Sequence, residues 1–250
     1  SAFPDTAELA TVALEEGVTA INHSFADPTP FAAATHAAGA KLFVQVQTVA
    51  QAVRAAAAGA DVIIAQGSDA GGHAGAIGTF ALLPAIVDAV SPIPVVAAGG
   101  IGDGRGLAAA LILGAQGAWL GTRFVASNEW GGPAAEQDAV VKATADDTIQ
   151  TRIFDQITQR PFPPENPDRV LRNAFTERWA EREAEIPDYR EELMAELEAG
   201  NARTDLSVVG VSAGVASGLI SSTQPAGEIV RAIVREAELV LRERAQSVLR

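Results

Sequence analysis

The chain has 250 residues, 48% hydrophobic and 20% charged, with a formal net charge of −13 and no cysteine, a size that fits one α/β domain or one domain with an insertion. The charge opposes nucleic-acid and anionic-membrane partners, both of which need a basic face, and the missing cysteines exclude disulfides, thiolate metal sites and a cysteine nucleophile. No apolar run approaches the roughly 18 residues of a membrane helix, and the opening SAFPDTAEL has no basic start before an apolar stretch; the expectation is cytoplasmic, with no metal, and with a homo-oligomer left open.

Short β-branched runs alternate with alanine-rich helical stretches, the pattern of parallel α/β sheets. Residues 5–16 predict a helix with Asp5 or Thr6 as its cap and Gly17 as its stop. Strands follow at 18–25, 41–47, 61–67, 93–100 and 117–124, with helices near 30–38, 49–58, 81–90 and 104–113 between them. DTIQTRIF (147–154) is a sixth candidate strand.

One cadence recurs in HAAGAKLFV, AAAGADVII and LILGAQGAWL: an alanine-rich helix end, a glycine, then a buried strand. The glycine can take the left-handed cap that returns the chain to a parallel neighbour. Residues 1–155 therefore read as a TIM-type (β/α)8 barrel in which two of the eight strands are missing from the chain. At about 30 residues per βα unit, roughly 60 residues of barrel belong before Ser1.

Beyond residue 155 the character changes. QRPFPPENPDR cannot be regular structure, and 170–200 is charged and helical, with Trp179, Tyr189 and Leu193 facing inward. Residues 156–205 read as a small helical insertion and 206–250 as a closing loop and final helix. Within the latter, 210–218 is a small-residue loop suited to close backbone approach, and Ile229, Ile233, Ala237 and Val240 form one stripe.

Two constellations carry chemistry. In PVVAAGGIGDGRG…GAWLGTRF, Gly99 and Gly100 end one strand and Gly121 and Thr122 end the next. Bare N–H groups at consecutive strand ends, beside a helix start, form an anion site, and barrels often bind phosphate after their last two strands. Asp103 is positioned to cap the helix at 104, and Arg105 and Arg123 to pair with nearby acids. In DVIIAQGSDAGGHAG, a strand ends at Gln66 and its loop carries Gly71, Gly72 and His73. An imidazole among glycines at a barrel mouth suits a general base. His23 ends a strand and faces either the site or the surrounding structure, His36 lies exposed on a helix, and one of Gln45 and Gln47 could reach a ligand.

AQGSDAGGHAG, PVVAAGGIGDGRG and GAWLGTRFVAS together resemble the nitronate monooxygenases, formerly 2-nitropropane dioxygenases. The resemblance is strong over 61–127 and fainter over 5–60 and 205–235. It implies an FMN-dependent (β/α)-barrel that oxidises a small nitronate with molecular oxygen. It further implies His73 as the catalytic base, Gln66 as a flavin contact, Gly71 and Gly72 in the same loop, and Gly99, Gly100, Gly121 and Thr122 around the phosphate. The family's P-M-x-G segment has no counterpart here, its acidic E-A-G-G-H position is Asp69, and its late W-x-G-Q-type loop reads SAGVASG (212–218).

The same segments resemble flavin-dependent enoyl-acyl-carrier-protein reductases, which would need NAD(P)H and an acidic carrier partner. A dehydrogenase of the inosine-monophosphate type needs a cysteine that is absent. A non-catalytic, incomplete barrel is the remaining alternative. The substrate pocket is expected to be small and apolar, near Phe124, Trp130, Phe154 or Phe162.

Overall fold

In a computed structural model of the protein, residues 6–248 are described; Asp5, one of the two expected caps, lies outside them. In chain order the strands are β1 (Ala20–Ser24), β2 (Lys41–Val46), β3 (Val62–Gln66), β4 (Gly72–His73), β5 (Val95–Ala98), β6 (Gly117–Trp119), β7 (Thr148–Thr151) and β8 (Asp168–Leu171). The described chain divides into two compact units, the first made of residues 6–68, 75–98 and 109–119, the second of 69–74, 99–108 and 120–248.

The first unit holds a five-stranded sheet in the order β1-β2-β3-β5-β6, every pairing parallel. Five consecutive βα repeats of this kind form an incomplete TIM-type barrel within the described residues. Side chains alternate across the pleat, so Leu42, Val44 and Val46 are buried with Ala52, Ala55, Leu82, Leu83 and Ile86 of the helices. Burial of such aliphatic side chains contributes roughly 1.5–3 kcal/mol each.

The repeated glycines perform the turn expected of them. Gly39, Gly59 and Gly114 have φ of 75°, 94° and 99°. The next residue in each case returns its N–H to a helix carbonyl: Ala40 to Thr35, Ala60 to Ala55, Ala115 to Ala110. A side chain would be strained at such angles, so glycine sets where each helix yields to its strand. Gly17, at φ 78°, likewise ends helix Thr6–Glu15.

The second unit contains a three-stranded antiparallel sheet, β4-β8-β7. Two expectations are corrected here. The sixth strand candidate forms β7, but it pairs antiparallel with β8 rather than extending the parallel sheet. Its period-two pattern indicates a strand and carries no direction. The stretch expected to be helical from 170 instead begins inside β8, followed by helices Ala174–Trp179 and Ile186–Arg203.

Trp179 and Leu193 are buried as expected, with Phe154, Phe175, Ile186 and Leu197 in one core. Tyr189, by contrast, is 42% exposed and tilts against the Trp179 ring, whose faces also take Arg182. Its hydroxyl favours water, while the ring still covers the indole. In the final helix Ile229, Ile233 and Ala237 are buried and Val240 is half-buried, as the stripe predicts.

Candidate functional site

Within the first unit, three glutamines meet. Gln45 and Gln47 lie on one face of β2 and its end, and Gln66 ends β3. Gln66 Oε1 accepts from Gln45 Nε2 at 3.0 Å and from Gln47 Nε2 at 2.9 Å. With its oxygen engaged twice, the Gln66 amide has its NH2 left as donor. His23, on β1, is in register with Val44 and rests on the Phe31 ring, 4.7 Å between centroids. It therefore lies on the helix-facing side of the sheet, away from the face carrying the glutamines. Burial lowers its pKa, against a backbone hydrogen bond at Ala26 and the Asp27 charge, which raise it, so the imidazole is neutral at pH 7. His36 is exposed, as expected, and meets Asp61 at 3.0 Å.

Within the second unit, His73 on β4 is buried. Its Nε2 lies 3.0 and 2.9 Å from the two carboxylate oxygens of Asp155, also buried. A carboxylate only accepts, so Nε2 carries the proton, and in the neutral tautomer that this pairing selects the lone pair is on Nδ1. Phe162 stacks on the imidazole with centroids 3.4 Å apart and planes 10° from parallel. Stacking covers a face of the ring and leaves the lone pair, which lies in the ring plane, at the edge.

Asp155 is set by its own helix, Ile153–Thr158. The start of that helix is held by Thr151 and Glu183, whose oxygens accept from Ile153 N and Arg152 N at 3.1 Å. Asp168 stands opposite His73 in the β4-β8 register and accepts from Ser212 Oγ at 3.2 Å. Burial pushes its carboxyl pKa up, reinforced by Asp155, against the lowering influence of His73 and the Ser212 hydrogen bond.

The glycine clusters of the second unit are tied together through the loop at 212–218. Gly214 donates its N–H to Thr122 Oγ1 at 2.9 Å. A Cβ on Gly71 would come within 2.5 Å of Gly214 N, and one on Gly100 within 3.1 Å of the Asp69 Cβ. Close backbone approach is thus the reason for the small residues of SAGVASG. Gly99 and Gly100 take left-handed φ of 103° and 73°, and Gly72 of 77°.

The helix start beside them is capped as expected, and the cap takes up its N–H groups. Asp103 caps it, accepting from Arg105 N and Gly106 N at 3.0 and 3.1 Å, and Glu236 accepts from Gly104 N at 2.7 Å. Those N–H groups are spent on carboxylates, so an anion would be served by the preceding turn instead. Among the described residues, no acceptor meets the N–H of Gly100 or Gly121. A Cβ on Gly121 would find open space.

Arg105 pairs with Asp103, as expected. Among the described residues, Arg123 does not pair with an acid. It is buried and donates to two neutral oxygens, Ala126 O at 3.3 Å and Gln224 Oε1 at 3.0 Å.

A family model described as nitronate monooxygenase matches residues 2–236. The chain belongs to the nitronate monooxygenase family. The probable nitronate monooxygenase of Staphylococcus aureus (strain Newman) is 34% identical over 218 residues, covering 82% of this chain and 58% of that protein. That of Staphylococcus saprophyticus is 38% identical over 199 residues, covering 75% and 52%. The chain thus spans a little over half the length of these relatives. Among solved structures, FabK from Thermotoga maritima matches with a TM-score of 0.87 at 33% identity, over 98% of this chain and 76% of that one. The nitroalkane oxidase of Streptomyces ansochromogenes matches at 0.80 and 31%, over 96% and 69%.

The family motifs of this nitronate monooxygenase relative single out His73, the glycines and the loop that begins at Ser212, but not Asp155 or Asp168. Asp155 lies 82 positions from its partner, and no local pattern in DTIQTRIFDQIT marks it. Phe162, expected near the pocket, is the residue stacked on His73. Phe154 instead packs against Phe175 in the helical core, and Trp130 is 38% exposed.

Proposed function

We propose that this chain is the flavin-binding part of an oxidoreductase that oxidises nitroalkanes or their nitronates with molecular oxygen, with His73 as its general base. The observation that carries the proposal is the buried His73–Asp155 pair. Asp155 accepts from Nε2–H, holds one tautomer, and stabilises the imidazolium that forms when Nδ1 takes a proton. The α-proton of a nitroalkane is the proton to be moved, and the cationic ring then holds the anionic nitronate. Phe162 supplies an apolar wall that keeps water from the imidazole face.

The residues present fit an FMN. The phosphate is assigned to the N–H groups of Gly100 and Gly121 and the turns at Gly99 and Thr122, where a left-handed backbone and open space leave room for an anion. Gly71 and Gly72 belong to the loop that carries the base. In the first unit, Gln66, whose oxygen is engaged twice, is by itself a candidate flavin contact through its NH2. Bound flavin supplies the electron acceptor and its reoxidation by oxygen, which no side chain of this protein can provide.

The test is flavin content of the purified protein together with oxygen uptake on a nitroalkane and its nitronate. Flavin-loaded protein that consumes no oxygen with either substrate contradicts the proposal. Oxidation of NADH that depends on an enoyl thioester would instead select an enoyl reductase.

A further inference from the structure

The sheet of the second unit brings a second acid to the base. Ala74 N–H donates to Pro167 O at 3.2 Å. That makes 74 and 167 a hydrogen-bonded pair and leaves His73 and Asp168 as the non-hydrogen-bonded pair beside it. Side chains of such a pair leave the same face about 5 Å apart. Thr151 stands opposite Asp168 on its other side, so His73, Asp168 and Thr151 form one row across β4, β8 and β7. Val170, two residues along β8 on the same face, packs with Ile153 and Ile157. The helix that carries Asp155 therefore covers this row.

Asp168 is buried, and among the described residues its carboxyl accepts only from the Ser212 hydroxyl, at 3.2 and 3.4 Å. One hydroxyl at that range satisfies a buried carboxylate poorly. Burial raises the pKa of this acid and the Asp155 charge adds to the rise, while His73, the Ser212 hydroxyl and the exposed Arg160 pull the other way. Glu183 reaches the far end of the row, accepting from Thr151 Oγ1 and Arg152 N. Arg169, next to Asp168 on β8, leaves the opposite face, in the field of Asp69.

We infer that Asp168 is a positioning residue for the base: it keeps its proton beside the neutral His73 ring and gives it up as the ring becomes an imidazolium. This rests on the reading of His73 as the general base. The substrate C–H bond breaks, its electron pair stays in the nitronate, and the proton forms the Nδ1–H bond. Asp168 releases its own proton to water by way of the Ser212 hydroxyl, which is exposed. The imidazolium is then held by two carboxylates instead of one, so His73 is a stronger base than the Asp155 pair alone would make it.

The experiment follows the imidazole NMR signals of the full chain against pH in the wild type, Asp168→Asn and Ser212→Ala. The chain has three histidines, and the signals lost in His73→Asn identify the ring of interest. Asp168→Asn has the shape of the protonated acid and still accepts from Ser212. Ser212→Ala leaves the backbone pairing of that loop in place and removes only the donor to the ionised form. In Asp168→Asn the His73 signal is expected to titrate about one pH unit lower than in the wild type, and in Ser212→Ala lower by less. The acid limb of kcat/KM with a nitroalkane should move in the same direction, whereas damage to packing would lower the plateau and leave the limb in place. A His73 ring that titrates at the wild-type pH in both variants overturns the role of Asp168. Nitroalkane oxidation that survives His73→Asn overturns instead the general-base reading on which that role rests.

Discussion

Both carboxylate oxygens of Asp155 converge on one atom of His73, Nε2, at 3.0 and 2.9 Å, and this convergence leaves the ring a single basic nitrogen. Asp155→Asn offers one oxygen and one NH2 in place of two acceptors, so the preferred tautomer is no longer enforced. Turnover with a nitroalkane is expected to fall roughly a hundredfold or more, with flavin content unchanged. Oxygen uptake per bound flavin is the measurement.

The three-glutamine cluster has an asymmetric sensitivity. Gln66→Leu strands the NH2 groups of Gln45 and Gln47, one of them fully buried, and should cost about 1–3 kcal/mol in thermal or urea unfolding. Gln66→Glu keeps an acceptor for both amides and should lose less than Gln66→Leu, the buried carboxylate offsetting part of the gain.

Gly71 admits no side chain. The Cβ of Gly71→Ala would meet Gly214 N at 2.5 Å and the Ala213 carbonyl carbon at 2.6 Å. Backbone cannot rotate aside as a side chain can, so a loss of roughly 3 kcal/mol is expected, read as a lowered unfolding midpoint.

Two buried or half-buried carboxylates give opposite pH responses. Burial raises the pKa of Asp168, so the folded chain keeps a proton that the unfolded chain releases. Stability therefore falls as pH climbs from the ordinary carboxylate range through the raised value. Asp168→Asn, which still accepts from Ser212, should flatten that decline in a series of melting temperatures.

Asp61 behaves in reverse. Burial pushes its pKa up, but Lys41, the Leu42 N–H and His36 outweigh it and hold the pKa at about 2. Its contribution is complete above the ordinary value of 3.8 and is lost as pH falls toward 2. Asp61→Asn should cost about 1 kcal/mol at neutral pH after solvent screening, and less as the medium becomes acid.

What the sequence discloses follows from how local each constraint is. The Gly-Ala turns at 39, 59 and 114 are legible because a left-handed helix end needs glycine and the next residues are plainly a buried strand. His73 stands out because a titratable ring lies among glycines at a strand-to-helix loop. Asp155 is hidden because its role depends on β7, β8 and the Glu183 contact bringing a helix start to β4, across 82 positions. The direction of β7 is hidden for a related reason, since alternation reports faces and not neighbours. The charge of Arg123 was expected to meet an acid; only its surroundings reveal that none of the described residues supplies one.

Oxygen uptake by flavin-loaded protein, wild type against His73→Asn, is the decisive measurement. Uptake with a nitroalkane is expected in the wild type and loss of it in His73→Asn, with the flavin absorbance retained in both. Undiminished uptake in His73→Asn, or none in the loaded wild type, would contradict base catalysis by the buried His73–Asp155 pair.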